Sequence, residues 1–209
     1  MIDPTDVTKF DRTDAELEEW WLFSTIVAGK TAATQSRLLN NFLTHAAKNP
    51  RFKGGEGPFE IVRALSVGPK AYDTAGNPVV LDYEPRTPLR NYMETAHIGQ
   101  YTRLERCWRE SLSLDLRNDP VEAFEAIHGV GPKTARMFIM HSRPDQRLAA
   151  IDTHVLKHLA AQGHPVPKAT PPGGKLYREL EEKFLALADA AGESPADYDL
   201  RVWKSYARA

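Results

Sequence analysis

Apolar residues along this chain recur every three or four positions over most of its length, the spacing of a helix with one buried face. Thr13-Asp14-Ala15-Glu16 forms a capping box, because a threonine and a glutamate three positions on satisfy each other's orphan amides. It predicts a largely apolar helix over 14–27, closed by Gly29. Leu38, Leu39, Phe42 and Leu43 place a second helix over 32–49, and Pro58 opens a short third to 65. The pattern changes over 66–85, where Gly68, Pro69, Gly76, Pro78 and Pro85 break it and short β-favouring runs flank Ala75-Gly76-Asn77. That stretch reads as a small loop or two-stranded hairpin inserted into a helical chain. Helices resume over 88–95, 100–114, 120–127, 132–142 and 152–162. A Pro/Gly-rich connector, 163–174, precedes two more, over 175–191 and 195–207, the last capped by Ser194 with proline at its first position. About ten helices make the expected class all-α.

With 209 residues the chain can bury a core without covalent staples. Its one cysteine, Cys107, excludes an internal disulfide and any four-cysteine cluster built from this chain, so no iron–sulfur cluster is expected. No apolar run approaches the ~20 residues of a membrane span, and the polar, acidic start MIDPTDVTKFDRTD is unlike a signal peptide. An intracellular, cytoplasmic protein is expected. The formal net charge of −1 advertises no partner, but its distribution does. Residues 127–143 hold Lys133, Arg136, Arg143, His128 and His141 and no acid, a local basic stretch that suits a polyanion. His154 and His158 stand one helical turn apart with no carboxylate or cysteine pattern around them, so no side-chain metal site is expected.

The chemistry concentrates in Ala126-Ile127-His128-Gly129-Val130-Gly131-Pro132-Lys133-Thr134-Ala135. A helix ends, two glycines allow a tight turn and a close backbone approach, and a proline starts the next helix. The free amides and positive dipole at that helix start favour a phosphate. Such a turn holds a DNA backbone without reading sequence. Nineteen positions after Lys133, Ile151-Asp152-Thr153-His154 puts an aspartate at the start of another helix.

Turn, lysine and aspartate together resemble the helix-hairpin-helix (HhH-GPD) DNA glycosylase superfamily, and most closely its compact archaeal-type 8-oxoguanine DNA glycosylase/AP lyases. The stretch 23–43 is similar to the family's early helix pair, and 177–203, ending Asp199-Leu200-Arg201-Val202-Trp203, to the family's C-terminal end. The resemblance implies two helical subdomains with a cleft between them: one of about 1–30 plus 150–209, the other of about 31–149 with the hairpin at 120–143. It implies base flipping from double-stranded DNA, Schiff-base chemistry at Lys133, and β-elimination at the abasic site, carried out by a monomer in base excision repair. Asp152 would stabilise the positive charge that develops on the sugar. Read alone, Asp152 is a plain N-cap and Lys133 a solvated phosphate contact.

For the DNA backbone the expected contacts are Gly129, Val130, Gly131, Thr134, Lys30 and Arg136. For the pocket of the flipped base they are Trp203 as stacking wall, Met137 opposite it, Phe23 and His154. Each has a structural alternative: Trp203, Met137 and Phe23 as core, His154 as a helix-start residue. The family also implies a K⁺ or Na⁺ ion on the backbone carbonyls of Glu125, Ile127 and Val130, and no other cofactor.

The chain departs from the family in two places. Val27-Ala28-Gly29-Lys30-Thr31 offers no amide side chain to fill the gap left by an extruded base, leaving Lys30 or the insertion for that role. The C-terminal Ser205-Tyr206-Ala207-Arg208-Ala209 lacks the terminal lysine with which archaeal-type enzymes help read the oxidised base. Both leave the excised base open. The alternatives are a related glycosylase for an enzymatically modified base, or a DNA-binding module that uses the hairpin without catalysis.

Overall fold

The computed structural model describes residues 1–52, 54–55, 57–68, 71–72, 78–79 and 86–206. The chain folds into ten helices among these residues: α1 (Asp14–Ile26), α2 (Ala32–Ala46), α3 (Pro58–Ser66), α4 (Pro88–Thr95), α5 (Tyr101–Ser111), α6 (Val121–Glu125), α7 (Pro132–Met140), α8 (Thr153–Ala161), α9 (Gly174–Ala191) and α10 (Pro195–Tyr206). The expected insertion contains two short strands, β1 (Ala71–Tyr72) and β2 (Pro78–Val79), paired antiparallel with Ala71 opposite Val79. Ala75-Gly76-Asn77, Pro69 and Pro85, on which the expectation of a turn rested, lie outside the described residues, as do 207–209.

Local chemistry explains the helix ends. Both halves of the Thr13/Glu16 capping box form, with Thr13 N–H donating to Glu16 Oε2 at 2.8 Å and Glu16 N–H to Thr13 Oγ1 at 3.3 Å. Asp152 caps α8 and Ser194 receives Asp197 N–H at the start of α10. Most observed ends fall short of the expected ones. The segment after α2, for instance, leaves the helix at Ala47, because final turns loosen once their carbonyls run out of partners.

Packing then sets the architecture. Helix α1 is buried from Trp20 to Ile26 without interruption, so it is surrounded rather than amphipathic, and it packs against α2, α3, α5 and α7. Trp21, Phe124 and Phe138 meet edge-on or tilted at 5.1 Å, and Phe42 meets Trp108 at 5.2 Å. Polar atoms drawn into this core are satisfied locally: Trp20 Nε1 donates to Phe138 O, and Trp108 Nε1 to Thr25 Oγ1. A second core joins α8, α9 and α10 through Val155, Leu159, Tyr177, Phe184, Tyr198 and Val202. The periodic pattern left residues 1–12 without an element. They cross the surface as an extended strap, held by Arg12, which donates to Val7 O and to His141 O and lies over the Trp20 ring. Burial lowers the Arg12 pKa to about 10. Among the described residues no helix is long and apolar enough to cross a membrane.

Candidate active site

Where the two cores meet the structure opens a cleft of about 960 Å³. Its walls come from the end of α1 and the turn after it, the start of α7, the 150–155 segment, α10 and the strap. Lys133 and Asp152 both line it.

Lys133 reaches the cleft because Pro132 starts α7 directly after the glycine turn, so the lysine sits in the first helical turn. Its Nζ donates to Met137 Sδ at 3.0 Å, one turn along the same helix. Thioether sulfur is a weak acceptor, and among the described residues no carboxylate pairs with this amine. Asp152 uses Oδ1 to accept from His154 N–H at 2.8 Å and Val155 N–H at 2.9 Å. Its Oδ2 has no hydrogen-bond partner among the described residues. Asp152 is therefore an N-cap that lines the cleft with its second oxygen unbonded among the described residues.

The hairpin has the geometry its glycines require. Gly129 adopts φ +74°, in the left-handed region, and a Cβ there would meet Arg103 Cγ at 2.6 Å. Arg103 holds the turn: it donates to Gly129 O and to Thr25 O at 2.9 Å each, and to Gln100 Oε1 at 2.6 Å. Gly129 and Gly131 are exposed, and Val130 is folded inward, its N–H donating to Ile127 O. Thr134 is buried but touches the cleft. Lys30 also lines the cleft, with its amine on Ile98 O at 2.7 Å, and burial followed by the charge of Arg103 lowers its pKa.

All four expected base-pocket residues line the cleft. Trp203 projects from α10 and is half-buried; Met137 is held by Lys133. Phe23 is nearly buried and stacks on Trp20 at 5.7 Å, so it is both core and floor. His154 Nδ1 is buried without a partner among the described residues, and its ring lies 6.5 Å from that of Tyr206.

Arg136 is not brought to the cleft. Its guanidinium lies over the Tyr177 ring at 4.8 Å, pairs with Glu125 and donates through Nε to Glu181 Oε1 at 2.8 Å. A guanidinium paired with two carboxylates has its charge neutralised where it stands, away from the cleft. Arg143 also turns inward, donating to Asp119 O and Leu116 O. The basic stretch of 127–143 is thus largely structural, and Lys133 is the member that presents its charge to the cleft.

Sequence reasoning missed the deep end of the cleft. His141 is buried between Thr8 Oγ1, 2.8 Å from its Nδ1, and Asp199 Oδ2, 3.2 Å from its Nε2. Asp199 and His141 both line the cleft, and the strap adds Pro4, Thr5 and Val7. Asp199 stands four residues before Trp203, hence on the same helix face. That spacing was a legible signal. No sequence pattern could bring Thr8 to His141.

No family model matches the chain. It is 33% identical over 94 residues to an 8-oxoguanine DNA glycosylase/AP lyase of a Thermotoga species, covering 42% of this chain and 44% of that protein. It is 32% identical over the same length to the like-named proteins of Thermotoga petrophila and Thermotoga neapolitana. The match spans less than half the length of these curated relatives. Among solved structures, the 8-oxoguanine DNA glycosylase of Thermotoga maritima superposes with a TM-score of 0.61 at 19% identity, covering 94% of this chain and 82% of that one. The all-helical fold expected from the sequence is the fold that this neighbour shares.

Proposed function

We propose that this chain is a monomeric, intracellular DNA glycosylase with abasic-site lyase activity in base excision repair, acting on duplex DNA that carries 8-oxoguanine or a similar base. The observation that carries the proposal is one cleft holding a free amine, a half-free carboxylate and aromatic and thioether walls at the start of the helix that follows an exposed glycine turn. The names of the relatives support it. The cleft volume falls within the range of about 300–1,000 Å³ that suits a small organic ligand such as an extruded base.

In this mechanism the exposed backbone of 129–131 and the start of α7 hold a phosphate. The base leaves the stack and enters between Trp203 and Met137. Neutral Lys133 Nζ attacks C1′, the C1′–N bond breaks, and the departing base takes up a proton. The nitrogen loses its proton as the sugar ring opens to the Schiff base. Removal of a C2′ proton then expels the 3′ phosphate. The free oxygen of Asp152 faces the charge that builds on the sugar. The contact with Met137 Sδ holds the amine at the cleft without a carboxylate partner among the described residues. The carbonyl of Ile127 accepts Val130 N–H and, like any carbonyl, has a second lone pair; with those of Glu125 and Val130 it would hold a K⁺ or Na⁺ ion, which would neutralise phosphate charge there.

Borohydride trapping on duplexes carrying single lesions tests the proposal. A covalent adduct with 8-oxoguanine or abasic DNA that disappears in Lys133→Gln is expected. Trapping that survives this substitution would remove Lys133 from the chemistry. Adducts with an enzymatically modified base alone would move the substrate to that class, and DNA binding with no adduct on any lesion would leave a binding module.

A further inference from the structure

Two elements carry the reacting groups: α7 bears Lys133, and the 149–151 segment delivers Asp152 to the start of α8. They are not adjacent in sequence, and the relative placement of amine and carboxylate depends on what joins them. One cluster of side chains joins them, outside the cleft. Arg136 Nη1 reaches back to Pro132 O at 3.4 Å, the residue before Lys133, and also pairs with Glu125 at the end of α6. Its Nε donates to Glu181 Oε1 on α9, and the same oxygen accepts Ala149 N–H at 2.8 Å. Tyr177, under the guanidinium, completes the link: its hydroxyl donates to Ala149 O at 3.0 Å and accepts Ile151 N–H at 2.9 Å.

Resting on the reading of the cleft above, we infer that Arg136, Glu181 and Tyr177 are positioning residues that set the distance between Lys133 and Asp152. Arg136 Nε and Nη1, Glu181 Oε1 and the Tyr177 hydroxyl all have partners, and the cluster is largely dry. Arg136 and Glu181 side chains are each 11% exposed. Burial holds the Tyr177 hydroxyl far above its ordinary pKa, so it remains a donor and acceptor at any working pH. In such surroundings hydrogen bonds are directional and stiff. Simple stabilisation would require only that the arginine be neutralised. Here the same groups also fix the backbone N–H groups three residues and one residue before Asp152 and the carbonyl that precedes Lys133, which ties them to reaction geometry.

Glu181→Gln and Tyr177→Phe keep shape and volume, and Arg136→Lys keeps charge while losing the fork. Each would be compared with wild type by single-turnover excision of 8-oxoguanine, by trapping rate on preformed abasic duplex, by DNA affinity and by thermal melting. Arg147→Ala is the control, because its exposed pair with Asp189 joins the same loop to the same helix. Since a misplacement near 1 Å can cost about a hundredfold in rate, the positioning variants should lose roughly tenfold or more in single-turnover and trapping rates. DNA affinity should stay within about twofold, since no phosphate contact is removed. The pH at which trapping reaches half its maximum should shift, as the surroundings of the amine change. Folded variants with wild-type rates overturn the inference. So does a loss matched by an equal loss of DNA affinity, or one equalled by Arg147→Ala. If instead Lys133→Gln still traps, the reading of the cleft fails first, and the two failures are told apart.

Discussion

Lys133 and Arg136 stand three residues apart on one helix, carry the same charge and are treated in opposite ways. The lysine faces the cleft with a sulfur as its acceptor. The arginine faces α9 and is enclosed by two carboxylates, an aromatic ring and a backbone carbonyl. Charge in a sequence therefore says little about charge at a surface. One side of α7 keeps a cation unsatisfied, where it can react; the other uses a cation as a fixed joint. An amine already paired with a carboxylate would be harder to deprotonate and less able to attack.

The contrast can be broken most severely on the cleft side. Lys133→Gln should lower base release on the order of 10³-fold or more, as loss of a nucleophile does, and Asp152→Asn by about 10²–10⁴-fold. Both are read by single-turnover excision, with DNA binding retained. Equal activity in either variant would place the chemistry elsewhere in the cleft. On the other side of α7 the expected loss is in stability. Arg136→Met strands Glu181 and Glu125 and should cost about 3–5 kcal/mol in denaturant unfolding, against roughly 0.5 kcal/mol for Lys133→Gln, which strands nothing. A reversal of that order would mean that Lys133 is the structural cation.

A finer distinction comes from salt. Lys30→Gln should reduce the slope of log affinity against log salt by about 1, whereas Arg136→Lys should leave it unchanged, because an internally neutralised cation releases no counterions. The smallest effect concerns Cys107, buried on α5, whose thiol burial pushes up to about 11. It should resist labelling by thiol reagents in the wild type and in the cleft variants alike. Rapid labelling of Lys133→Gln would show that its lost activity is lost folding.

Much of this was legible beforehand. The capping box at Thr13, the proline starts of α3, α4, α7 and α10, and the hairpin glycines are local effects, in which a residue and its neighbours up to four positions away settle the conformation. The placement of Lys133 and Asp152 in one cleft was also legible, through the resemblance that turn, lysine and aspartate carry together. Arg136 was read as a phosphate contact because nothing nearby in sequence announces Glu181, 45 positions away.

Sequence by itself thus determined the helices, their caps and the glycine turn before α7, since backbone hydrogen bonding and glycine sterics act over a few residues. Tertiary structure decided which cations are free, that the first twelve residues form a wall, and that His141 links Thr8 to Asp199, pairs separated by 133 and 58 positions. Side chains so far apart in the chain acquire partners only when apolar burial has brought their helices together. Until then a buried ion pair and a solvated charge look the same.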